Sequence, residues 1–454
     1  MRVIHVSAHC HVASAVGTER YQYDLIRELR SAGVESALCW LRSPDQDVVH
    51  DAAGVEVITL PAASPDAWPA PSLGGCATRL LDERAPDLLH FHSFGHREAA
   101  IARTAVARGI PYVFTYHYPG ATCPSRSLLE WGREPCDGEL RPLRCGTCRV
   151  ASLARLPKPP GPRLPYLLEI GAWSMRRGGT LAGAPGLQAL RDSLRWFLGH
   201  AGRVFVASPR SSAVLARNGA SDASLSICVP GVATDFTVGD DLAAARGNGT
   251  SVTRAHDASL PAAGRGVPAS CVVGYLGRVD PLKGVGTLVE AFLQTRAPEA
   301  RLRIAGGPGA DSRARVFARR IRRTTARDPR VELVEEQPIG TRAALYADLS
   351  AVAIPSIGVE TGPLVLFEAL RLGIPVLASE QIAHPQLLGA HDRIVRPNTV
   401  ASWRSALEEL FARVKSGAAQ GDADRALTAT SIRTMADVAR DVLDGYRRLA
   451  GAAA

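Results

Sequence analysis

Short apolar segments alternate with stretches of helical periodicity along most of this chain, and the alternation occurs in two successive series. The first series contains VIHV (3–6), ESALCWL (35–41), VEVITL (55–60), DLLHFH (87–92), YVFTYH (112–117) and RVFVAS (203–208). The second series starts after about residue 270 and contains CVVGYLG, RLRIAGG, VELVE, AVAIP, PVLAS and RIVR. Such segments are typical of parallel strands with helices on both faces. The sequence therefore predicts an α/β fold with two doubly wound, Rossmann-like domains.

The length and local composition of the chain predict where these domains begin and end. A single hydrophobic core stops growing at about 250–300 residues, so a chain of 454 residues is expected to form two domains. We assign residues 1–236 to an N-terminal domain with an irregular insert at about 118–200, and residues 269–430 to a C-terminal domain. Residues 237–268 are rich in Gly, Ala, Ser and Thr, which predicts a linker or mobile loop. Residues 431–454 are expected to form a helix that packs back on the first domain.

The charge and hydropathy of the chain exclude several classes of protein. Hydrophobic residues make up 46% and charged residues 21% of the sequence, as in a globular protein. The net charge of +9 comes with no nucleic-acid-binding signature, so no nucleic-acid partner is expected. The start MRVIHVSAHCH fits a first strand better than a signal peptide, and no segment has the ~18 apolar residues of a membrane span, so we expect a cytoplasmic protein. The basic segment 313–330 could contact the inner face of a membrane, but it lacks the bulky apolar face that insertion needs and fits a solvated helix better.

The segment ETGPLVLFE (360–368) places two carboxylates around a predicted strand-to-helix turn. Gly362 and Pro363 lie at the expected helix start, where exposed backbone N–H groups and the helix dipole favour an anion. Glu360 could accept hydrogen bonds from sugar hydroxyls, and Glu368 could accept them from a ribose. On their own, the two glutamates could equally be a helix cap and a solvated helix residue.

The segment YLGRVDPLKG (275–284) places two cations around one predicted strand end. The strand is expected to end at Gly277, Arg278 follows it, and Lys283 is expected to begin the next helix. Two such cations can bind a diphosphate and neutralise it as it departs, although in isolation they could be ordinary loop charges. Ligands of open α/β sheets lie beyond the carboxyl ends of the strands, so these motifs place the expected site in the cleft between the domains.

Together these segments resemble a known family. YLGRVDPLKGVGTLVEAF, LRIAGGPG and ETGPLVLFEALRLGIPVLAS, in this order and spacing, are similar to the donor domain of retaining glycosyltransferase family 4. The likeness extends to AVGTERYQYDLIRELRSAGVE (15–35), PDLLHFHSF (86–94) and VASPRSSAVLARNGASDASLSICVPGVATDF (206–236). The resemblance implies the GT-B fold, in which two Rossmann-like domains face a central cleft.

The resemblance also implies a role for each matching residue. Arg278 and Lys283 would bind the donor diphosphate, Glu368 would bind the ribose, and Glu360 would lie near the sugar hydroxyls. His117 matches the active-site histidine of the family. The other donor contacts are expected from Gly17, Thr361, Gly362, Pro363 and Leu364. Such enzymes are usually independent of metal ions, so no cofactor is expected for catalysis.

The activity implied by the resemblance is retaining transfer of a hexose-type sugar from a nucleotide sugar, with UDP favoured as the nucleotide. The acceptor could be a glycan, a lipid-linked molecule or a small natural product, and the sequence leaves it open together with the oligomeric state. The alternatives are a sugar-nucleotide epimerase or hydrolase and a non-catalytic, glycan-binding partner subunit. Tyr118, Val16 and Pro230 depart from the family pattern, and the first two affect the expected geometry on the acceptor side.

Four cysteines lie within 26 residues directly after the strand that precedes His117: Cys123, Cys136, Cys145 and Cys148. Thiolates at such spacing could bind one structural zinc ion or an iron–sulfur cluster, and the alternatives are a disulfide pair or reduced thiols. Six histidines near two strand ends could also bind a metal: His5, His9, His11, His90, His92 and His96. A location near an anionic substrate is a sufficient explanation for these histidines.

Overall fold

The structure is a computed structural model that describes residues 1–8, 17–42, 51–52, 54–61, 71–154, 184–234, 236, 271–309, 312–334, 342–416 and 431–452. The predicted linker at 237–268 lies outside the described residues. The part of the predicted insert between residues 155 and 183 also lies outside them.

An eight-stranded sheet forms the centre of the N-terminal domain. Its strands are β1 (Arg2–Ser7), β2 (Glu35–Arg42), β3 (Asp51–Ala52), β4 (Val55–Pro61), β5 (Leu88–Phe91), β6 (Tyr112–Tyr116), β9 (Arg203–Val206) and β10 (Leu225–Ile227), and a separate short hairpin is made of β7 (Leu129–Glu130) and β8 (Glu134–Pro135). The strand order is β10-β9-β6-β5-β1-β2-β4-β3. Neighbouring strands are parallel except β3 and β4, which pair antiparallel.

Helices cover both faces of this sheet, which explains why its central strands are buried along most of their length. They are α1 (Thr18–Ser31), α2 (Pro71–Arg84), α3 (His96–Ala107), α4 (Pro142–Ala154), α5 (Ala184–His200) and α6 (Pro209–Arg217). β5 and β6 are buried along their whole length, as expected for parallel strands between two helical layers.

The C-terminal domain contains a six-stranded sheet in which every neighbouring pair is parallel. Its strands are β11 (Val272–Leu276), β12 (Arg301–Ala305), β13 (Val331–Val334), β14 (Ala351–Ile354), β15 (Val376–Ser379) and β16 (Arg393–Val395), and its helices are α7 (Val285–Leu293), α8 (Ser312–Thr325), α9 (Leu364–Arg371) and α10 (Val400–Lys415). The order β13-β12-β11-β14-β15-β16 corresponds to 3-2-1-4-5-6, which is the Rossmann order.

The last helix, α11 (Met435–Ala452), packs on the N-terminal domain, although it follows the C-terminal one. Val438 and Tyr446 of this helix share a buried cluster with Val3 of β1 and Phe205 of β9. Close packing requires Gly445, because a Cβ atom there would lie 2.8 Å from the Phe205 ring. No helix in the described ranges is long and apolar enough to cross a membrane.

One local expectation from the sequence is wrong. Lys283 does not begin a helix, because it ends the 3-10 turn Pro281–Lys283 and α7 begins at Val285. Pro363 does lie at the helix start, where its extended ψ of 118° makes it the N-cap of α9.

Candidate active site

The loops that follow the strands of the two sheets meet in the cleft. The strand order reverses between β1 and β5 in one sheet and between β11 and β14 in the other, and such reversals form the crevices in which α/β proteins bind ligands. Thr361 Oγ1, after β14, donates to the backbone oxygen of His117, after β6, at 2.5 Å. The backbone N–H of Val359 donates to Ser127 O at 2.9 Å. The two domains are therefore hydrogen-bonded to each other at the predicted site.

Lys283 and Glu360 form an ion pair in the C-terminal wall of the cleft. Lys283 Nζ lies 2.7 Å from Oε1 and 3.0 Å from Oε2 of Glu360. The Ser356 hydroxyl donates to the same carboxylate. Burial is the largest influence on the pKa of Glu360 and raises it, but the opposing effects of Lys283, Ser356 and Arg278 outweigh burial and hold this pKa below its usual range. Glu360 is therefore an ionised acceptor at neutral pH.

A close backbone contact holds the turn that carries Lys283. Gly284 has a φ of 70°, and a Cβ atom at this position would lie only 1.8 Å from Pro355 O. The N–H groups of Ile357 and Gly358 donate to Leu282 O at 2.9 and 3.0 Å. The loops after β11 and β14 are thereby fixed to one another, and this places Lys283 against Glu360.

Arg278 leaves the end of β11 with an exposed side chain. Its backbone oxygen accepts a hydrogen bond from the buried Tyr275 hydroxyl at 2.5 Å. The preceding residue, Gly277, touches Gly306, where a Cβ atom would lie 2.2 Å from Gly277 O. The charge of Arg278 contributes to the lowered pKa of Glu360, so the two sequence-predicted cations share one electrostatic site.

Glu368 lies in α9 with only 5% of its surface exposed. Its Oε2 accepts a hydrogen bond from the hydroxyl of Tyr346 at 2.5 Å. Tyr346 is itself buried and belongs to the 3-10 turn Arg342–Tyr346. The structure thus brings Glu368 together with Tyr346 and does not bring it into contact with Glu360 or Lys283.

His117 lies on the N-terminal side of the cleft, where its ring is partly exposed. The ring of Tyr21, from α1, packs edge-on against it with a centroid distance of 4.7 Å. The Nε2 atom of His117 lies 2.9 Å from Nδ1 of the buried His92. With the Thr361 contact described above, His117 is held by both domains.

The start of α9 reaches across the cleft. A Cβ atom at Gly362 would lie 2.8 Å from the Cβ of Ala207, so this part of the C-terminal domain approaches the end of β9 very closely. Leu364 packs against the buried cluster that contains Tyr21. Gly17 begins α1 with a φ of 67°, which favours glycine, and the preceding loop residues lie outside the described part of the chain.

Two family models match the chain and together span most of it. The model described as "Glycosyltransferase Family 4" matches residues 16–236, and the model described as "Glycosyl transferases group 1" matches residues 270–413. The chain belongs to glycosyltransferase family 4. Both the donor-domain motifs and the His117 region lie inside the matched residues.

The curated proteins that are similar to this family 4 chain share one name, D-inositol 3-phosphate glycosyltransferase. The chain is 32% identical over 179 residues to D-inositol 3-phosphate glycosyltransferase of Nocardia farcinica, which is 38% of this chain and 37% of that protein. It is 30% identical over 146 residues to the enzyme of the same name from Corynebacterium glutamicum, which is 31% of this chain and 35% of that protein. The chain therefore spans little more than a third of the length of these relatives.

Solved structures confirm the GT-B fold of this family 4 member. Sucrose-phosphate synthase from Thermosynechococcus elongatus superposes with a TM-score of 0.65 at 18% identity, over 99% of both chains. Anabaena HepE in complex with UDP and glucose superposes with a TM-score of 0.61 at 14% identity, over 98% of both chains. At these identities the superpositions establish the fold, which is the one that the sequence predicts.

The cysteine-rich loop forms one side of the N-terminal domain in this family 4 chain. Cys148 Sγ accepts from the Trp131 N–H at 3.2 Å, and Cys136 and Cys145 are partly buried. Burial raises the pKa of Cys145 to about 11. In the described ranges, the one group of three or more metal-binding side chains with ligand atoms within 4.8 Å of one another consists of histidines, and the four thiols form no such group. The metal expected from the sequence at these cysteines stays a prediction.

Three residues near the site were not singled out by sequence reasoning: Ser356, Tyr346 and Arg126. Ser356 could have been noticed because it follows a predicted strand of the donor domain. Tyr346 had no signal, because its 3-10 turn follows no periodic pattern. Arg126 lies in the insert, and its charge acts on Tyr118 together with that of Arg278, although burial dominates and raises the Tyr118 pKa. The charges of arginines from both domains thus act on Tyr118, which departs from the family pattern.

Proposed function

We propose that the chain is a retaining glycosyltransferase that moves a hexose from a UDP-sugar to a hydroxyl-bearing acceptor. The observation that carries this proposal is the Lys283–Glu360 ion pair beside Arg278 at the point where the strand order of the donor-side sheet reverses. An ammonium and a guanidinium there provide positive charge for a nucleoside diphosphate leaving group. An ionised glutamate next to them can accept hydrogen bonds from sugar hydroxyls.

The ion pair is compatible with donor binding because a lysine ammonium has three N–H donors. Glu360 accepts hydrogen bonds from some of these N–H groups and orients Nζ. The remaining N–H groups are available to phosphate oxygens. Arg278 is exposed and forms no ion pair with the residues that the structure describes, so its guanidinium is accessible to a diphosphate. Glu368, held by Tyr346, would lie next to the ribose at the other end of the nucleotide.

Comparisons support the choice of UDP and suggest an acceptor for the first trials. Structures of HepE were determined with UDP, with UDP and glucose, and with UDP-glucose. The curated relatives act on D-inositol 3-phosphate by name. UDP-hexoses are therefore the first donors to test, and inositol phosphates are the first acceptors. Glycans and lipid-linked acceptors come next. For a lipid-linked acceptor, the exposed arginines of α8 offer a contact to an anionic membrane surface from the cytoplasmic side.

The test is release of UDP from UDP-hexoses in the presence and absence of each acceptor, with the product anomer determined by NMR. Lys283→Ala should abolish most of the turnover, whereas Lys415→Ala, an exposed lysine at the end of α10, should not affect it. UDP release that no acceptor accelerates would indicate a hydrolase, and a changed sugar without transfer would indicate an epimerase. Either result would overturn the proposal.

We also propose that turnover needs no divalent metal. Arg278 and Lys283 provide the charge that a metal ion provides to the diphosphate in other enzymes. Activity is expected to survive brief treatment with EDTA. Loss of activity that magnesium or manganese restores would contradict the assignment of this role to the two cations.

A further inference from the structure

A row of three imidazole rings connects the cleft with the interior of the N-terminal domain. His117, His92 and His5 follow or belong to β6, β5 and β1, which are adjacent in the sheet. His117 Nε2 lies 2.9 Å from His92 Nδ1, and His92 Nε2 lies 2.9 Å from His5 Nδ1. Each pair of neighbouring rings is nearly coplanar, with 18° between the planes and 5.2 Å between the centroids, so the nitrogens meet edge to edge.

The two inner rings are neutral. His5 is 0% and His92 is 1% exposed. Burial lowers the pKa of His5 to about 3 and holds that of His92 well below its usual range. A neutral imidazole has one N–H and one lone pair. The row can therefore exist in only two states, in which the N–H groups all point outward or all point inward.

The inner end of the row decides between these states. His5 Nε2 is buried and has no hydrogen-bond partner among the residues that the structure describes. If the N–H groups pointed inward, this position would hold a buried N–H with no acceptor among the described residues, and a donor left without an acceptor keeps its full desolvation cost. The outward state leaves a lone pair there. His5 Nδ1 then donates to His92, and His92 Nδ1 donates to Nε2 of His117.

We propose that His5 and His92 are positioning residues that keep His117 neutral in the Nδ1–H form. Since Nε2 accepts from His92, the proton of His117 is on Nδ1, on the other side of a ring that is partly exposed. On the proposed function, His117 then donates a hydrogen bond to an oxygen of the bound donor or acceptor. It does not act as a general base, because its inward-facing lone pair is already occupied.

The same histidines could in principle bind a metal, since ligand nitrogens of His5, His90 and His92 lie within 4.8 Å of one another. The hydrogen bonds oppose this. Both nitrogens of His92 are engaged in the row. His90 Nδ1 lies 2.5 Å from the Tyr446 hydroxyl, and its Nε2 lies 2.6 Å from the Thr115 hydroxyl. A metal would have to displace these contacts, so a bound ion is an outcome that the test below must exclude.

The direct test is the tautomer of His117 in the full chain labelled with ¹⁵N-histidine, measured from two-bond ¹⁵N–¹H couplings at neutral pH without ligand. His117→Gln identifies its signals. We expect Nδ1–H. An Nε2–H form, or a protonated ring, would overturn the proposal. This measurement needs no substrate, so it can succeed even if the chain proves not to be a glycosyltransferase.

Two amide side chains of different length at position 92 separate positioning from packing. In His92→Asn the amide nitrogen can take the place of Nδ1 and still donate to His117. In His92→Gln the amide reaches the place of Nε2, so the donor to His117 is lost. We expect His117 to keep Nδ1–H in the Asn variant and to lose it in the Gln variant, with turnover of the donor lower by about tenfold in Gln relative to Asn.

The controls for this pair are thermal unfolding and metal content. Equal tautomers and equal turnover in the two variants, both folded, would overturn the proposal. If neither variant folds, the tautomer of the unmodified chain decides. One equivalent of metal in the purified chain that persists when Cys145 and Cys148 are replaced and is lost in His90→Asn would assign the histidines to a metal site and would also overturn it.

Discussion

Arg278 and Lys283 are not equivalent residues, although the sequence presents them as a pair of cations. Arg278 is exposed, whereas Lys283 is already engaged by Glu360. Arg278→Ala should therefore leave the stability unchanged and lower kcat by about 100-fold, because it removes charge stabilisation of the leaving group and little else. Steady-state turnover at saturating UDP-hexose checks this, with Arg319→Ala on α8 as the exposed-arginine control. A variant with nearly full kcat would remove Arg278 from the site.

The lowered pKa of Glu360 predicts how the stability of the chain depends on pH. A carboxyl group whose pKa is lower in the folded state stabilises the fold above its unfolded pKa, and this stabilisation is lost as the pH falls through the folded value. The unmodified chain should therefore be more stable than Glu360→Gln at neutral pH. The difference should shrink as the pH falls below the ordinary glutamate value of 4.5.

Denaturant unfolding of both proteins between neutral and acid pH measures this difference. Glu408→Gln is the matched control, because Glu408 is an exposed glutamate of α10. A difference between the unmodified chain and Glu360→Gln that is constant with pH would mean that Glu360 is not held ionised by its neighbours.

The turn between β11 and α7 places Lys283, and this turn requires the glycine at position 284. Gly284→Ala adds a Cβ atom 1.8 Å from Pro355 O at a φ of 70°. Gly33→Ala adds one at a φ of 80° with no atom within 4 Å. The first variant combines backbone strain with a clash, and the second has strain alone, which costs about 1 kcal/mol or somewhat more.

We therefore expect Gly284→Ala to lower the free energy of unfolding by about 3 kcal/mol or more and to reduce turnover as well. Gly33→Ala should lower it by only about 1 kcal/mol and leave turnover unchanged. Chemical denaturation and the UDP-release assay measure both effects. Equal losses in the two variants would show that the contact between the two loops does not fix the turn.

The elements were predictable from the sequence to the extent that they are buried between two helical layers. The strand β6 could be predicted because the segment YVFTY has no polar face that would interrupt the pattern of a buried strand. The 3-10 turns that contain Lys283 and Tyr346 could not be predicted from the sequence, because contacts with other loops determine them. The sequence placed His5 and His92 near two strand ends, but it could not predict their hydrogen-bonded row, since these two residues are 87 positions apart. The metal site that the cysteine spacing predicts stays a prediction.

At the scale of the whole molecule, the two domains touch where the donor is proposed to bind, so donor affinity and domain contact should depend on the same atoms. Thr361 and Gly362 are adjacent residues of the C-terminal domain that contact His117 and Ala207 of the N-terminal domain. Val232, of the N-terminal domain, lies in a buried cluster of the C-terminal domain and pairs with Thr434 as an isolated bridge just before α11, so this segment also links the domains. A small change at Gly362 can therefore separate the cleft walls without altering either sheet.

Gly362→Ala is the variant that tests this coupling. Gly362 is not in the left-handed region, so alanine fits its backbone, and the effect comes from the added Cβ at 2.8 Å from Ala207 and 3.1 Å from Pro230. Contacts this short must be relieved by moving the walls apart, and we expect the Kd for UDP to rise by about tenfold, which corresponds to ~1.4 kcal/mol. Gly358→Ala is the matched control, because it lies in the same interface but its Cβ would be 3.6 Å from the nearest atoms, in Ser127. Calorimetric titration with UDP measures both variants, and thermal unfolding shows whether the domains themselves are intact. An unchanged Kd in Gly362→Ala would mean that the cleft accommodates the methyl group without opening, and that domain contact and donor binding are independent.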